Sequence, residues 1–475
     1  MVKLIWIVVL VVPTLARSNE ASGKEMGHAR GRPNILFILA DQWRFEACGY
    51  AGNADVKTPN LDRLAREGVS FVNAVSGLAV CSPMRASFLT GQRPLTHGVF
   101  LNDVPLNPKA ITIAKVLAKA GYDAGFIGKW HVNGDGRSAF VPAERRQGFA
   151  YWKALECTHD YNHSAFYADD PQKRQWQGYD AIAETKDAQT YLTAHAKASK
   201  PFFLVLAWGP PHDPYFTAPE KYRAMYDPQQ LGLRPNVPDR ISSETRKMLA
   251  GYYAHCTALD DCVGELLKTL AENGLAGNTL VVFTSDHGDM LGSQGLHKKQ
   301  KPYDESIRVP LLCRLPGRLS SALQLDCPIS SEDLMSTILG LCGVKIPRTV
   351  EGLDFSHYMR GGKAPGDGAA LLTCVSPFGE WDRAHGGREY RGIRTRRYTY
   401  IRDLAGPWLL FDNEADVFQT NNLANSPSHA AEQKDLDALL RRKLKKADDR
   451  FLPGAEYVKK WGYQVDANGT VAYER

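Results

Sequence analysis

The stretch YYAHCTALDDCVGELLKTLAENGLAGNTLVVFTSDHGD, residues 252–289, decides the fold. It begins with apolar residues at the spacing of a long helix and continues into the short apolar run of a buried strand. An acid and an imidazole, Asp286 and His287, follow this strand directly. A helix that leads into a buried strand is typical of proteins in which helices cover a mostly parallel sheet.

The same alternation extends outward along most of the chain. NILFILADQ, residues 34–42, reads as a buried strand that ends in polar residues, and TPNLDRLAREGVSF reads as a capped amphipathic helix. TIAKVLAKAGYDAGFIGKWH predicts a helix, a glycine turn and a strand, and KPFFLVLAWGPPHDP predicts a further strand. We therefore expect an α/β fold, a mostly parallel sheet sandwiched by helices, over residues 33–370.

The pattern changes past about residue 370. REYRGIRTRRYTYIRD and WLLFDNEADVFQTNNL alternate like antiparallel strands, and a closing helix is predicted near residues 430–447. We expect residues 371–475 to form a smaller C-terminal α+β subdomain with an antiparallel sheet.

Composition excludes some function classes. The 475 residues are 44% apolar, and the net charge is 58 − 52 = +6. No Lys/Arg stripe is dense enough to follow a nucleic-acid backbone, so no nucleic-acid partner is expected. The N-terminus MVKLIWIVVLVVPTLA has a basic start and an apolar run that Pro13 interrupts, too short for a membrane-spanning helix. Residues 1–16 are predicted to be a signal peptide of a secreted or periplasmic protein with no stable membrane insertion.

The chain contains nine cysteines, an odd number, so at least one is expected to be unpaired in an exported protein. Our candidate is Cys81, in VCSPMRASFLTGQRP, residues 80–94. Ser82 is predicted to be the N-cap of a helix that has Pro83 as its first residue and ends at Gly91. Cys81 would lie just outside this N-terminus as a thiolate nucleophile, half of a disulfide, a buried structural cysteine or a precursor of another group.

Carboxylate, amide, lysine and histidine side chains follow four of the predicted strands. Parallel sheets bind their ligands beyond the carboxyl ends of their strands. Any one of these groups alone could be a helix cap or a turn, but together they predict a site. Carboxylate and amide oxygens favour Ca²⁺, with Mg²⁺ and Mn²⁺ as alternatives. The candidate metal ligands are Asp41, Gln42, Asp286 and His287.

Cationic side chains would surround this metal. A cation together with converging lysines, histidines and an arginine suits an ester of an oxyanion, whose charge rises during cleavage. The predicted reaction is hydrolysis by sulfuryl or phosphoryl transfer. The candidate residues are Arg85, Lys129, His131, His212 and Lys299.

These motifs resemble those of the type I sulfatases of the alkaline phosphatase superfamily. The resemblance runs from about residue 33 to residue 425 in the family order. It comprises PNILFILADQ, CSPMRASFLTG, GYDAGFIGKWH, PFFLVLAWGPPHDP, VVFTSDHGDMLGSQGLHKKQKPYDESIRVPLL and RGIRTRRYTYIRD. One such motif is weak evidence, whereas six in order are strong.

The resemblance implies that a separate maturation enzyme oxidises Cys81 to formylglycine (3-oxoalanine). The hydrated aldehyde would attack sulfur, and the second hydroxyl would then expel sulfate. The modified residue would join the metal ligands named above. Arg85 would orient the formylglycine, Lys129 would hold it and the sulfate, and His131 would take the proton that triggers sulfate release.

His212 and Lys299 would bind sulfate and protonate the leaving alcohol, with Lys298 and Lys301 as competitors for the lysine role. Gln42 departs from the commoner aspartate and removes one negative charge. Met84 departs from the commoner serine, which leaves open which maturation system accepts the motif.

The favoured function is a sulfatase that removes sulfate from a sulfated polysaccharide or a derived oligosaccharide. One alternative is a phosphonate monoester or phosphodiester hydrolase on the same scaffold, and another is a non-catalytic protein that binds sulfated glycans. The segment PFGEWDRAHGGREYR is expected to meet the cleft. Its candidate sugar contacts are Trp381, Arg383, His385 and Arg388, although an ordinary surface loop is the competing interpretation.

Overall fold

The computed structural model describes residues 31–473, so the predicted signal peptide, residues 1–16, lies outside the described residues. The strands, in chain order, are β1 (Asn34–Asp41), β2 (Val69–Phe71), β3 (Ala74–Val75), β4 (Asp123–Lys129), β5 (Tyr151–Leu155), β6 (Ala165–Phe166), β7 (Arg174–Gln175), β8 (Phe202–Pro211), β9 (Thr279–Ser285), β10 (Leu311–Arg314), β11 (Leu323–Leu325), β12 (Ile329–Ser330), β13 (Ala369–Cys374), β14 (Tyr390–Thr395), β15 (Tyr398–Asp403) and β16 (Gly406–Asp412).

The α-helices alternate with these strands over most of the chain. They are α1 (Pro59–Glu67), α2 (Cys81–Thr90), α3 (Pro94–His97), α4 (Ile113–Lys119), α5 (Asp180–His195), α6 (Glu220–Arg223), α7 (Ser242–Glu272), α8 (Asp304–Ile307), α9 (Asp333–Leu341), α10 (Ala430–Lys446) and α11 (Gly454–Trp461).

The main sheet has eight strands in the order β11-β2-β10-β9-β1-β8-β4-β5. Strand β1 pairs in parallel with β8 and β9, and β4 pairs in parallel with β5 and β8. Strand β10 is antiparallel to both of its neighbours. The predicted mostly parallel sheet is therefore confirmed.

Strand β1 shows why the sequence reads as an uninterrupted apolar run. Ile35 and Phe37 face one core together with α2 and α9, whereas Leu36 and Ile38 face a second core together with α5 and α7. Because helices cover both faces, every residue from Ile35 to Asp41 is buried and the alternation of a half-exposed strand is absent.

The C-terminal sheet joins β13, β14, β15 and β16 in antiparallel order, as predicted. Helix α10 covers it by packing Leu440 against Ile393 and Tyr400. Phe378 and Tyr457 pack in the core of the main sheet instead, and both sheets fall in one compact unit that begins at Arg32. The domain boundary at residue 370 therefore stays a prediction.

Helix α2 begins earlier than predicted. Val80 is its N-cap, in an extended conformation, and Cys81 is its first residue, so the assignment of Ser82 as N-cap is wrong. The Ser82 backbone N–H donates to Asn102 Oδ1 at 3.0 Å, a partner 20 residues away that the local pattern does not reveal. The predicted end at Gly91 is confirmed, with φ of 65°.

The nine cysteines all lie within the described residues, and each is a buried free thiol. The predicted unpaired state of Cys81 is confirmed. Among the helices of residues 31–473, each is too short or too polar to cross a lipid bilayer.

Candidate active site

The four strand ends that carry the candidate site residues lie at one edge of the main sheet. Strand β1 ends at Asp41, β4 ends at Lys129, His212 follows β8 and Asp286 follows β9. These strands are adjacent and parallel, so their carboxyl ends lie side by side. Sheet topology thereby collects residues that are separated by up to 245 positions in the chain.

A candidate metal centre lies at this edge. Asp41, Cys81, Asp286 and His287 are buried and each offers one ligand atom within 4.8 Å of the others. Cys81 Sγ lies 3.2 Å from His287 Nε2 and 3.8 Å from Asp41 Oδ1. Two carboxylates, an imidazole and the side chain of residue 81 form a donor set that fits a divalent cation.

Arg85 and Lys129 neutralise the carboxylates. Arg85 Nη2 donates to Asp41 Oδ2 at 3.1 Å and to Asp286 Oδ2 at 3.0 Å, while its Nη1 donates to the Lys129 carbonyl at 2.7 Å. Lys129 Nζ donates to Asp41 Oδ2 at 2.6 Å and lies 3.8 Å from Cys81 Sγ. The buried negative charges are thus paired, as their burial requires.

Gln42 is hydrogen-bonded both to the metal-ligand candidate Asp286 and to Lys299. Its backbone N–H donates to Asp286 Oδ1 at 3.0 Å, and its side-chain Oε1 accepts from Lys299 Nζ at 3.2 Å. Gln42 and His131 have left-handed backbones, with φ of 70° and 58°. Such strain is common where a chain must turn a functional side chain sharply at a strand end.

Gly128 allows β4 to deliver Lys129 to the site. Its φ is +101°, and a Cβ there would lie 2.1 Å from the Ala207 carbonyl oxygen of β8. Any other residue would push the two strands apart just before Lys129.

Electrostatics favour anionic chemistry at residue 81. Burial and Asp41 raise the pKa of the Cys81 thiol, but Lys129, His287 and Lys299 together lower it well below the ordinary value. Burial also raises the pKa of Asp41, and Lys129, His212 and Arg85 outweigh it and lower that pKa. Burial and the neighbouring Asp41 raise the pKa of Asp286, so the site stabilises negative charge at residues 41 and 81 in particular.

The cleft above Cys81 has a volume of about 100 Å³. On one wall, His131 Nε2 lies 3.2 Å from Asp103 Oδ1. Burial lowers the pKa of His131, whereas Cys157 and Asp103 raise it to about 10. Lys299 and His212 also line the cleft, and Lys299 Nζ lies 2.7 Å from His212 Nε2.

Three lysines were candidates for the position beside His212. Lys299 lines the cleft, whereas Lys298 pairs with Asp213 and Lys301 Nζ donates to the His297 carbonyl at 2.6 Å. The geometry favours Lys299, the lysine selected from the motif.

The structure does not bring the predicted sugar contacts into the cleft lining. Trp381 is 5% exposed and packs in the core of the C-terminal sheet, so its candidate role as a sugar contact is wrong. Arg383 pairs with Glu389, Arg388 pairs with Asp403, and His385 pairs with Asp382. These three residues stay predictions as sugar contacts.

Several cleft residues were missed by the sequence reasoning. Glu380 lies directly before Trp381 in the segment PFGEWDRAHGGREYR. The sequence therefore indicated a segment that lines the cleft, but the residue named in it, Trp381, is not the one that does. Phe378 and Gly379 belong to the same segment, and Gln300 lies in the motif that carries Lys299. The others lie where neither periodicity nor a motif marks them; they are Asn102, Asp103, Arg137, Cys157, His159 and Thr470.

Comparison with known families agrees with this geometry. Residues 33–344 match the Sulfatase family model, and residues 292–447 match the model of the C-terminal region of N-sulphoglucosamine sulphohydrolase. The chain belongs to the sulfatase family. It is a sulfuric ester hydrolase, and the predicted resemblance and fold class are confirmed.

Individual relatives of this sulfatase cover nearly all of the chain. It is 45% identical to the ulvan-active sulfatase of Formosa agariphila, over 92% of this chain and 86% of that protein. It is 32% identical to the endo-4-O-sulfatase of Bacteroides thetaiotaomicron, over 84% and 89%. The crystal structure of YidJ from Bacteroides fragilis superposes with a TM-score of 0.81 at 30% identity, over 90% and 98%.

Proposed function

We propose that this sulfatase removes sulfate from a sulfated polysaccharide or a derived oligosaccharide, with residue 81 as its nucleophile after conversion of Cys81 to formylglycine. The observation that carries the proposal is the place of Cys81. Its Sγ lies 3.2 Å from His287 Nε2, within a buried cluster of metal-ligand type at the base of a cationic cleft. The names of the Formosa and Bacteroides relatives support a sulfated carbohydrate as the substrate.

The proposed metal ligands are Asp41, Gln42, Asp286, His287 and the modified residue 81. Their oxygen donors favour Ca²⁺ over Mg²⁺ or Mn²⁺, which demand smaller and more regular sites. A divalent cation held there would withdraw electron density from the sulfate and favour the ionised form of a hydroxyl on residue 81.

Arg85 and Lys129 would hold the reactants in place. Arg85 reaches both Asp41 and Asp286 and so keeps the floor of the site rigid. Lys129 Nζ lies 3.8 Å from Cys81 Sγ, within reach of a group on residue 81 and of a sulfate oxygen. Its positive charge would stabilise the charge that develops on sulfate during cleavage.

Two pairs of residues that line the cleft would move protons. His131, held by Asp103, would take the proton from the hydroxyl of residue 81 and so release sulfate. It would do so in its neutral form, which the raised pKa of the imidazole makes a strong base. His212 Nδ1 lies 3.0 Å from the Asp213 carbonyl, which leaves Nε2 to face Lys299 and the substrate. This pair would bind sulfate and protonate the leaving alcohol.

We also propose the steps that precede catalysis. A separate maturation enzyme would oxidise Cys81, and residues 1–16 would direct export to the periplasm or the medium. Export suits substrates that are too large or too charged to enter a cell.

The decisive experiment is a hydrolysis screen on matured protein. Sulfated glycans of defined linkage, an aryl sulfate, a phosphodiester and a phosphonate monoester are offered at equal concentration. Release of sulfate from glycans in preference to the other esters is expected. Faster cleavage of the phosphonate or the phosphodiester would favour the alternative hydrolase, and binding of glycan without release of sulfate would favour a non-catalytic binding protein.

Peptide mass spectrometry of the same preparation tests the nucleophile. Residue 81 should be lighter than cysteine by the change from a CH₂SH group to an aldehyde. An active preparation in which Cys81 is unmodified would contradict the proposed mechanism.

A further inference from the structure

The Gln42 side-chain amide is bonded at both ends. Its Nε2 donates to Asp289 Oδ2 at 2.7 Å and to the Tyr215 hydroxyl at 3.2 Å. Its Oε1 accepts from Lys299 Nζ at 3.2 Å. Gln42 is fully buried and Asp289 is 1% exposed, so water does not compete for these bonds.

Asp289 accepts hydrogen bonds at both of its oxygens. Oδ1 accepts from the backbone N–H groups of Leu291 and Lys298, each within 2.9 Å. Oδ2 accepts from the Tyr215 hydroxyl and from Gln42. Three of these donors, the two backbone N–H groups and the Tyr215 hydroxyl, are independent of how the Gln42 amide is turned. A carboxylate only accepts hydrogen bonds, so the group of Gln42 that faces it must be the NH₂ group.

The opposite end of the amide is constrained independently. A lysine ammonium donates hydrogen bonds and accepts none, so the atom of Gln42 that faces Lys299 must be the oxygen. Turning the amide by half a rotation would place its NH₂ against the ammonium and its oxygen against the carboxylate. Each contact would then be unfavourable in a buried site, where lost hydrogen bonds are costly.

We propose that Asp289 is a positioning residue that fixes the Gln42 amide, so that Gln42 offers its oxygen rather than its NH₂ group to the metal centre and to Lys299. A metal ion binds an amide through its oxygen, so this orientation decides whether Gln42 is a ligand. The same contact explains the neutral side chain at position 42. A carboxylate there would place negative charge 2.7 Å from Asp289 Oδ2.

This inference rests on the proposed metal site. Exchanging the amide of Gln42 and the carboxylate of Asp289 between the two positions tests it. Asp289→Asn keeps the shape but presents an NH₂ group to Gln42, which must then turn its oxygen away from the metal. Gln42→Glu keeps the shape but places a carboxylate against Asp289. The double variant Gln42→Glu/Asp289→Asn restores a donor facing an acceptor and keeps the total charge.

Two measurements separate orientation from a general loss of structure. Thermal unfolding of chelator-treated protein is followed first alone and then against Ca²⁺ concentration. Asp289→Asn should weaken Ca²⁺ binding by about 10–100-fold, the usual effect of removing a group that orients a ligand, and the added Gln42→Glu should recover most of that loss. Without Ca²⁺, Gln42→Glu should lower the unfolding temperature, and the added Asp289→Asn should raise it again.

Tyr215→Phe is the matched control, because it removes a donor to Asp289 and an acceptor of Gln42 Nε2 but leaves the Asp289 carboxylate facing the NH₂ group of Gln42. The Ca²⁺ concentration that gives half of the maximal rise in its unfolding temperature should stay close to that of the wild type. Unchanged Ca²⁺ binding in Asp289→Asn, or a double variant weaker than Asp289→Asn, would overturn the inference alone. A wild type that gains no stability from Ca²⁺, Mg²⁺ or Mn²⁺ would overturn the metal site and the inference together.

Discussion

Arg85 Nη2 lies 3.0 Å from Asp286 Oδ2, and the same nitrogen lies 3.1 Å from Asp41 Oδ2. One guanidinium on α2 therefore ties together the ends of β1 and β9, and both carboxylates are fully buried. The distance between two proposed metal ligands is set by a residue of the same helix that carries Cys81. This coupling of the helix to two strand ends makes the site a rigid unit.

Replacement of Arg85 by methionine should destabilise the protein strongly. Removing one partner from a buried ion pair leaves uncompensated charge, which costs about 3–5 kcal/mol. Chemical denaturation in the presence of chelator measures the change. Arg441→Met is the matched control, because Arg441 pairs with Asp437 at the surface, where a pair contributes about 0–1 kcal/mol. Equal losses for the two variants would contradict the proposed role of Arg85.

Chelation should lower activity and unfolding temperature together. The proposed cation binds only the folded site, so its removal withdraws binding free energy from the native state. Titration with EDTA followed by addition of Ca²⁺ should lower and then restore both quantities. Asp286→Asn should have a lower unfolding temperature before treatment and should show little further change with EDTA. An undiminished EDTA effect in this variant would place the metal elsewhere.

Cys81→Ala should abolish sulfate release and leave the fold intact. The substitution removes the proposed precursor of the nucleophile, whereas the lost buried volume is one sulfur atom. Turnover of an aryl sulfate and the unfolding temperature are measured in parallel on protein produced with a maturation enzyme. Cys374→Ala, a buried thiol in the C-terminal sheet, is the control and should keep its activity. Activity near that of the wild type in Cys81→Ala would reject residue 81 as the nucleophile.

His97 should make the protein less stable in mild acid. Burial lowers the pKa of His97 from its ordinary value of 6.5 to about 3. Below pH 6.5, His97 therefore binds a proton in the unfolded chain but stays neutral in the folded protein until the pH approaches 3. Stability is fully present above pH 6.5 and is lost as the pH falls towards 3, by about 2 kcal/mol between pH 7 and pH 5.

Denaturation curves of His97→Gln at the two pH values test this effect. The variant should lose less stability on acidification than the wild type. His163→Gln is the control, since the side chain of His163 is 72% exposed. If the pH dependence is the same in His97→Gln and in the wild type, His97 is not its source.

Glu380→Gln should strengthen binding of anions in the cleft. Glu380 Oε2 lies 3.4 Å from Lys299 Nζ and lowers the positive charge that Lys299 offers to sulfate. Burial raises the pKa of Glu380, but Lys299, Lys298 and His212 lower it to about 2, so the carboxylate is charged at neutral pH. Product inhibition by free sulfate should tighten about two- to fivefold, in line with a partly exposed ion pair. Weaker inhibition would show that Glu380 assists anion binding.

The α/β class and the candidate site residues at the strand ends could be predicted, because both depend on short-range sequence patterns. The apolar run at residues 34–40 and the helix-to-strand passage at residues 252–285 mark buried elements directly. Asp41 and Asp286 follow those elements, and parallel topology places them at one edge. The start of α2 was misplaced because Asn102, a partner outside the local pattern, satisfies the Ser82 N–H.

The rest of the cleft lining could not be predicted from the sequence, because loops without periodicity contribute it. Glu380, Asp103 and His159 belong to irregular segments whose course depends on packing against distant elements. The burial of Trp381 shows the same limit, since an aromatic residue in a loop can face a ligand or a core with equal local propensity.

By itself, the sequence determined the order of strands and helices, the residues of the metal-type cluster and the family of this sulfatase. These follow from chain-local spacing and from motifs that keep their order. Only the tertiary structure decided which lysine meets His212, that Arg85 joins two carboxylates, and that Asp289 holds the Gln42 amide. Hydrogen bonds between residues some 200 positions apart depend on the packing of the sheet, and no local pattern encodes the direction in which a buried side chain points.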